Sequence, residues 1–259
     1  ITLGRAEEGL ASVRAMESMF GPAQVLGYRV GAKAWEVAAL HLLGRWDEAI
    51  AAGRRLVELW VEYDRASVGY AAHAFVRVLE IVRARRETGL EMEFAAAARE
   101  LLRQFDETRN VGRLHAMVEG EYEQARPWFV DAWPGFTARL DMVEIALGVL
   151  ADRALPAGEQ VRSLIEHASR LGVRTVEAQA RRALGVEASD AEQLARAIEL
   201  YEAMAFAPNL ARARADLALL TGDSALFDQA SAALERLGDV AHLERLAARR
   251  AGRGGAGAA

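Results

Sequence analysis

Apolar side chains recur along most of the chain at intervals of three and four residues, which is the spacing of one face of an α-helix. The clearest case is the segment 190–205, where Leu194, Ile198, Tyr201 and Ala205 lie at i, i+4, i+7 and i+11. Glycine or proline stands between such segments and marks where helices end or begin. The pattern therefore predicts an all-α chain of about fourteen helices, which is about seven helical hairpins with short connections.

The bounds of the predicted helices follow from the apolar spacing and from the flanking glycines and prolines. Gly89 and Gly185 are expected to end helices, and Ser189 with Glu192 is expected to form a capping box. Short connections make consecutive helices antiparallel neighbours, so we expect a stack of hairpins. The predicted helices cover residues 3–19, 24–43, 46–63, 66–87, 91–107, the hairpin 111–129, 135–152, 157–171, 173–185, 190–205, 208–221, 223–237 and 239–250.

The best-formed hairpin in the sequence is the segment 42–59, LLGRWDEAIAAGRRLVEL. Gly44 is placed to turn the chain, Trp46 opens the second helix, and Ala49 lets that helix approach its neighbour closely. A weaker copy of the same order of glycine, aromatic residue and alanine begins at Gly120. These features indicate a helical repeat array, an architecture that proteins use for binding.

Five residues of this hairpin stand at the turn and second-helix positions of the tetratricopeptide family: Gly44, Trp46, Glu48, Ala49 and Ile50. The chain resembles that family most closely here and less closely at 120–132 and 194–208. The helix before Gly44 departs from the family pattern, with Lys33 and Val37 where an aromatic and a small residue are usual. The resemblance implies a right-handed α-α superhelix, a tetratricopeptide-like solenoid of about seven hairpins whose concave groove holds a protein or peptide segment.

Two stretches, 167–185 and 194–223, resemble the C-terminal repeat regions of large bacterial multidomain signalling proteins. Those proteins join an ATPase of the signal-transduction type to a repeat region, and their output domain is a nucleotidyl cyclase or a helix-turn-helix transcription activator. The first residue is not methionine, so we expect the chain to be part of a longer protein. The resemblance implies a non-catalytic sensor or protein-interaction region, whose partner is a peptide segment or the upstream domains of the same polypeptide.

Composition and charge indicate where the chain is located and which classes of partner it binds. The chain has 259 residues, a net charge of −5 and no cysteine, so it lacks a global cationic field for nucleic acid and cannot form disulfides. No apolar run approaches the roughly 18 residues that a membrane span needs. We therefore expect a cytoplasmic location, no direct binding of nucleic acid and no membrane contact.

The sequence contains no motif that predicts a defined chemistry. The glycines at 252, 254 and 257 match GxGxxG but follow a basic helix rather than a strand, so they do not predict a nucleotide site. No catalytic, cofactor-binding or metal-binding residue is predicted, and the chain is not expected to be an enzyme. The predicted domains are a repeat domain over 1–251, with a candidate division near 153–157, and a disordered Gly/Ala tail over 252–259.

Several polar residues have both a structural and a functional interpretation. Lys33 is predicted to be solvated. The run Arg245, Arg249, Arg250 and Arg253 could contact acidic partners or phosphate, but a solvated helix end is the favoured interpretation. The five histidines are expected to lie at the surface or in a groove, with a partly buried position favoured for His73; they are His41, His73, His115, His167 and His242. Asp239 and His242 share a helix face, but one such pair cannot hold a metal ion.

The tryptophans are expected to fill the gaps between hairpins, because alanine-rich helices need large side chains to seal a core. They are Trp35, Trp46, Trp60, Trp128 and Trp133, and one or two of them could instead serve as groove anchors. Two alternative functions remain open. One is a stand-alone scaffold that binds a protein partner, and the other is an all-α enzyme, which would require convergent polar residues in a closed pocket between helices.

Overall fold

The computed structural model describes residues 4–19, 26–62, 68–103, 118–120, 140–154, 156 and 158–256. Within these ranges the chain forms twelve α-helices and no β-strand, which confirms the all-α class. The helices are α1 Ala6–Met19, α2 Leu26–Leu43, α3 Trp46–Glu62, α4 Val68–Ala84, α5 Thr88–Arg103, α6 Leu140–Asp152, α7 Gly158–Leu171, α8 Arg174–Ala188, α9 Ala191–Met204, α10 Ala207–Thr221, α11 Ser224–Leu237 and α12 Val240–Ala256. Most of the predicted hairpin 111–129 lies outside the described residues.

The turn at Gly44 has the backbone that the sequence predicts. Gly44 has a φ of 76°, and the amide of Arg45 donates to the carbonyl of Leu40 at 2.9 Å. This is the Schellman arrangement, which satisfies carbonyls at the end of α2 and favours glycine because of the positive φ. Gly172 and Gly238 end α7 and α11 in the same way, with φ values of 69° and 72°.

Three predicted helix ends are wrong. The turn before α5 is made by Arg86, with a φ of 60°, and Gly89 lies in the first turn of α5. Gly185 does not end α8, which continues to Ala188 and is followed by Ser189 in the left-handed conformation. The N-cap of α9 is Asp190, whose side chain accepts from the amides of Glu192 and Gln193, so Ser189 forms no capping box. The residues at these three boundaries are Arg86, Ser189 and Asp190, and none of them is glycine. Gly185 instead allows close packing, because a Cβ there would lie 2.7 Å from Leu194 Cγ.

The chain divides into two compact units. The N-terminal unit comprises residues 1–82 and 87–146, and the C-terminal unit comprises residues 83–86 and 147–259. The main division falls between Ala146 and Leu147, within α6, whereas the sequence places a candidate division near 153–157. The helix α12 extends to Ala256, five residues into the segment that the sequence assigns to a tail, and residues 257–259 lie outside the described residues.

The N-terminal unit is built on α1, α2 and α3, each packed against the next. Trp46 and Trp60 are 2% exposed, as their predicted role of sealing the core requires. The Trp60 ring meets Phe75 of α4 edge to face, with 6.3 Å between the ring centroids. Trp35, in contrast, is 38% exposed, and Trp128 and Trp133 lie outside the described residues. Large aromatic side chains thus fill the spaces between small-residue helices.

Lys33 is not solvated, which corrects the sequence prediction. It is 9% exposed, and its ammonium donates to Glu36 at 2.5 Å and to Glu17 of α1 at 2.9 Å. Arg14 of α1 also donates to Glu36, at 3.0 Å. The prediction failed because α1 packs over this part of α2, and that contact is a tertiary one. The lysine therefore joins the first two helices electrostatically.

The C-terminal unit is a succession of helices from α7 to α12 in which each helix packs on the next, and α12 also contacts α10. Its apolar core includes Ala211, Ala215, Leu219, Leu234 and Leu246. The middle helix, α10, is buried on several faces because α9, α11 and α12 all contact it. None of the described helices in either unit has the length and hydropathy that a bilayer crossing requires.

We expect Gly53→Ala to destabilise the N-terminal unit. A Cβ at Gly53 would lie 2.7 Å from Val78 Cγ2 and 3.2 Å from Phe94 Cε1, so α3 would have to move away from its neighbours. Overpacking of this kind costs about 1–3 kcal/mol, of which the better helix propensity of alanine returns up to about 1 kcal/mol.

Gly89→Ala is the matched control, because a Cβ at Gly89 meets no atom within 4 Å. It should leave stability unchanged or raise it. Thermal unfolding followed by circular dichroism measures both variants. If Gly53→Ala unfolds at the temperature of Gly89→Ala or above it, the close packing assigned to Gly53 is wrong.

Candidate functional site

Charged side chains from several helices meet in the interior of the C-terminal unit, and we call this set the buried ion cluster. Its members come from the end of α6, from α8, from α10, and from α12 with the residue that precedes it. They are Asp152, Arg182, Arg212, Asp216, Asp239, His242, Arg245 and Arg249. Buried charges are costly unless they are paired, so a cluster of this size is the first place to look for a function.

Helical spacing brings the members on one element to the same face. Arg212 and Asp216 are four residues apart on α10. His242, Arg245 and Arg249 lie at i, i+3 and i+7 on α12. Residues at these spacings are neighbours on a helix surface, so α10 and α12 each present a charged stripe. The contact between the two helices then brings the stripes together.

Asp152 lies at the centre of the cluster. Its Oδ1 accepts from Arg182 Nη2 at 2.7 Å, and its Oδ2 accepts from Arg245 Nη2 at 3.2 Å. Arg212 Nη1 lies 3.6 Å from Oδ2, and His242 Nδ1 lies 3.7 Å from Oδ1. One carboxylate at the last residue of α6 therefore connects α8, α10 and α12.

Asp216 completes the pairing of the most deeply buried arginine. Arg182 and Asp216 both have fully buried side chains, and Arg182 Nε donates to Asp216 Oδ2 at 2.9 Å. The second oxygen of Asp216 accepts from Arg249 Nη1 at 2.7 Å. Arg182 is thus held between Asp152 and Asp216, a charge-assisted arrangement that compensates for its loss of water.

Asp239 has two roles. Its Oδ2 accepts from Arg212 Nε at 2.8 Å, and its Oδ1 accepts from the backbone amide of His242 at 3.2 Å. The second bond is that of an N-cap, which satisfies a free amide in the first turn of α12 and favours negative charge there. Asp239 therefore fixes the start of α12 relative to α10.

The charges in the cluster control the protonation of Asp152. Burial opposes its ionisation and is the largest effect, but the guanidinium groups of Arg182 and Arg212 together outweigh it. The pKa of Asp152 is consequently held far below its ordinary value, and the carboxylate is ionised at any physiological pH. The pKa of Arg182 is correspondingly raised by Asp152 and Asp216, against the effect of burial.

Two members of the cluster show the opposite tendency. Burial lowers the pKa of His242 well below its usual value, and the nearby arginines lower it further in spite of Asp152. Burial and Arg212 likewise lower the pKa of Arg245, against the attraction of Asp152. Loss of water on burial therefore disfavours the charged forms of His242 and Arg245 more than Asp152 favours them.

The hydrogen bonds of His242 identify its tautomer. Arg245 Nη2, which can only donate, lies 3.1 Å from His242 Nδ1, so Nδ1 accepts and the proton is on Nε2. His242 is 1% exposed, and its Nε2 has no hydrogen-bond acceptor among the described residues. The same holds for the buried Arg182 Nη1 and Arg245 Nε. All three atoms are donors.

Several sequence predictions fail in this cluster. Arg245 and Arg249 were predicted to be solvated, but their side chains are only 37% and 33% exposed and both bind aspartates. His242 was expected at the surface or in a groove and is buried. His73 is partly buried, as predicted, and His41 and His167 are partly buried too, while His115 lies outside the described residues.

A signal for the cluster does exist in the sequence. The stretch Ala207–Thr221 is rich in alanine and leucine on every face, which is the pattern of a helix surrounded by others. Arg212 and Asp216 interrupt it four residues apart, so they have to meet charged partners inside the protein. Which partners they meet depends on α6, α8 and α12, and no local pattern identifies them.

The cluster supplies the convergent polar residues that the enzyme hypothesis requires. However, the groups in the cluster are suited to binding an ion rather than to transferring a proton. Asp152 is ionised by its arginine neighbours and His242 is kept neutral, so neither group exchanges a proton near neutral pH. Among the described residues, no group of three or more metal-ligating side chains is placed to hold a metal ion.

No family model, curated protein sequence or solved structure matches the chain. The observations on which a function can rest are therefore the packing of the described helices, the side chains that they leave exposed, and the buried ion cluster.

We expect Asp216→Asn to destabilise the C-terminal unit by about 3–5 kcal/mol, because it leaves Arg182 with one carboxylate and no access to water. Glu202→Gln is the matched control. Glu202 pairs with Arg214 at 2.6 Å on the surface, where such a pair contributes at most about 1 kcal/mol. Urea unfolding followed by circular dichroism measures both. Equal midpoints for the two variants would show that the buried pairing does not stabilise the fold.

We expect His242 to make the protein less stable as the pH falls below about 6.5. The pKa of His242 is lowered in the folded state, so the unfolded chain binds the proton first. This contribution to stability is complete above about pH 6.5 and declines as the pH falls toward the folded-state pKa. His242→Gln should therefore flatten the dependence of the urea midpoint on pH between about pH 7 and 5.

His167→Gln, at a partly exposed position of α7, controls for the loss of an imidazole elsewhere in the same unit. Its slope is the reference for the loss of one imidazole. A wild-type slope in His242→Gln would contradict the assignment of the effect to His242. The charged groups around His242 are Asp152 of α6, Arg182 of α8, Arg212 of α10, and Arg245 of α12.

Proposed function

We propose that the chain is a non-catalytic helical-repeat region that binds a protein or peptide segment within a larger cytoplasmic signalling or transcription-regulating protein. The support has two parts. Consecutive helices pack as neighbours in each unit, which is how repeat arrays build extended binding surfaces. The segment 42–59 resembles the tetratricopeptide family, and the segments 167–185 and 194–223 resemble the C-terminal repeat regions of bacterial multidomain signalling proteins.

The observation that carries the proposal is an exposed aromatic stripe on α2. Tyr28 and Trp35 are seven residues apart, so they lie on the same face of the helix, and they are 59% and 38% exposed. Most of the remaining described side chains of α2 are buried. Met16 and Met19 of α1, the helix packed against α2, are 40% and 79% exposed.

These side chains have the chemistry of an interface. Tryptophan and tyrosine bury a large area at a small cost in conformational entropy, and they dominate the binding energy of many protein interfaces. Methionine adapts its shape to an irregular partner surface. An apolar or amphipathic segment, from a partner protein or from upstream domains of the same polypeptide, would cover the stripe. Its binding would change how this region packs on those domains.

The test uses the full reading frame that encodes the chain, produced in its native cells with Tyr28→Ala and Trp35→Ala together. Proteins crosslinked to it are identified by mass spectrometry and compared with those of the wild type. The variant should lose a specific crosslinked segment, because removing one aromatic anchor costs on the order of 2 kcal/mol, more than tenfold in affinity.

Met92→Ala is the matched control, since Met92 is 70% exposed on α5 and lies outside the stripe. It should retain the crosslinks. If the double variant also retains every crosslink, the stripe is not the binding surface. A crosslinked partner in the same polypeptide supports the proposed role within a larger signalling protein. An upstream reading frame without an ATPase or output domain favours the alternative of a stand-alone scaffold.

A further inference from the structure

We propose that the buried ion cluster of the C-terminal unit binds a compact oxoanion, a phosphate or carboxylate group that accepts hydrogen bonds from Arg182, His242 and Arg245. The evidence is three buried donors without an acceptor among the described residues: Arg182 Nη1, His242 Nε2 and Arg245 Nε. The proposal is independent of the function proposed for the α2 stripe, because it concerns other residues in the other unit.

The three donors belong to side chains that meet on one carboxylate. Arg182 Nη2 and Arg245 Nη2 bind the two oxygens of Asp152 at 2.7 and 3.2 Å, and His242 Nδ1 lies 3.7 Å from Oδ1. The heads of all three side chains therefore surround Asp152. Arg182 and Arg245 each use a donor on Asp152, and His242 Nδ1 accepts from Arg245 Nη2. Each of the three side chains has a further N–H for another acceptor.

A donor without a partner is expensive when it is buried. Arg182 is 0% exposed and His242 is 1% exposed, so neither Nη1 nor Nε2 is open to bulk water at the surface. Leaving a buried polar group without a hydrogen bond costs about 1–3 kcal/mol, and more when the group is charged. An acceptor for these N–H groups would satisfy donors that the described side chains leave unsatisfied.

The balance of charge specifies an anionic acceptor. The cluster contains four arginines and three aspartates, and 4 − 3 leaves one positive charge, since the pKa of His242 keeps the imidazole neutral. Asp152 repels an incoming anion, but it is already shared between Arg182 and Arg245.

Exposure within the cluster indicates the route of entry. The side chains of Arg245 and Arg249 on α12 are 37% and 33% exposed, whereas that of Arg182 is fully buried. An anion therefore approaches along α12 and meets Arg245 first. Oxoanions suit this site better than a spherical ion, because two or three oxygens can accept from guanidinium and imidazole donors in different directions.

The experiment is isothermal titration calorimetry of the purified chain with sodium phosphate and, separately, with sodium acetate, at constant ionic strength and pH 7.5. Sodium chloride is the control for screening of charge. We expect saturable binding with one site per chain for phosphate or for acetate, and the tighter of the two identifies the preferred group. The titrated protein should also unfold at a higher temperature, since a ligand of the folded state stabilises it.

Variants of α12 test the assigned donors. Arg245→Gln should weaken binding about tenfold or more by removing a charge-assisted donor, and Arg245→Lys should restore part of the affinity. Arg196→Gln, which removes an arginine from the exposed pair with Glu199, should bind as the wild type does. Circular dichroism confirms that each variant is folded before it is titrated.

A measurement on the wild type complements the variants. In nitrogen-correlated NMR spectra of the imidazoles, His242 should carry its proton on Nε2, and that signal should shift with added phosphate or acetate along the calorimetric curve. A response to both oxoanions no larger than the response to chloride would overturn the proposal. Binding that is undiminished in folded Arg245→Gln, or an unchanged His242 signal at saturation, would overturn it as well.

Discussion

The helices of the C-terminal unit depend on the compensation of buried guanidinium groups by three aspartates. Removing an ion from water costs several kcal/mol, and only well-placed opposite charges recover that cost. Arg182 is fully buried and has its carboxylates on α6 and α10. A slip of either helix relative to α8 would leave the guanidinium unpaired. The positions of these helices are therefore specified by charge as well as by apolar contact.

This constraint matters because half of the buried residues in the apolar core cluster of this unit are alanines. Ala211, Ala215 and Ala230 have no shape that would distinguish one register of packed helices from another. In the N-terminal unit, differences in side-chain volume specify the register of the packed helices instead. Trp60 packs edge to face against Phe75, and α3 approaches α4 closely at Gly53, so large and small residues alternate across the contact.

The two candidate sites follow from these two ways of packing. In the N-terminal unit, Tyr28 and Trp35 form an exposed stripe on α2, which suits a protein or peptide partner. In the C-terminal unit, the charged core has donors in excess of acceptors, which suits a small anion. A chain with both the α2 stripe and the anion site would bind a macromolecule and a small ligand through separate helices.

The sequence by itself determined the all-α class, the order of the helices and most of their bounds, because apolar spacing and helix-ending residues are local signals. It did not determine the turns at Arg86 and Ser189, because there a non-glycine residue adopts the left-handed conformation. The buried ion cluster was decided by tertiary structure alone. Asp152 and Arg245 are 93 residues apart, and both have the sequence context of solvated residues until α6, α8, α10 and α12 enclose them. Periodicity shows which face of a helix is apolar, but only the packing of helices against one another determines which charges meet.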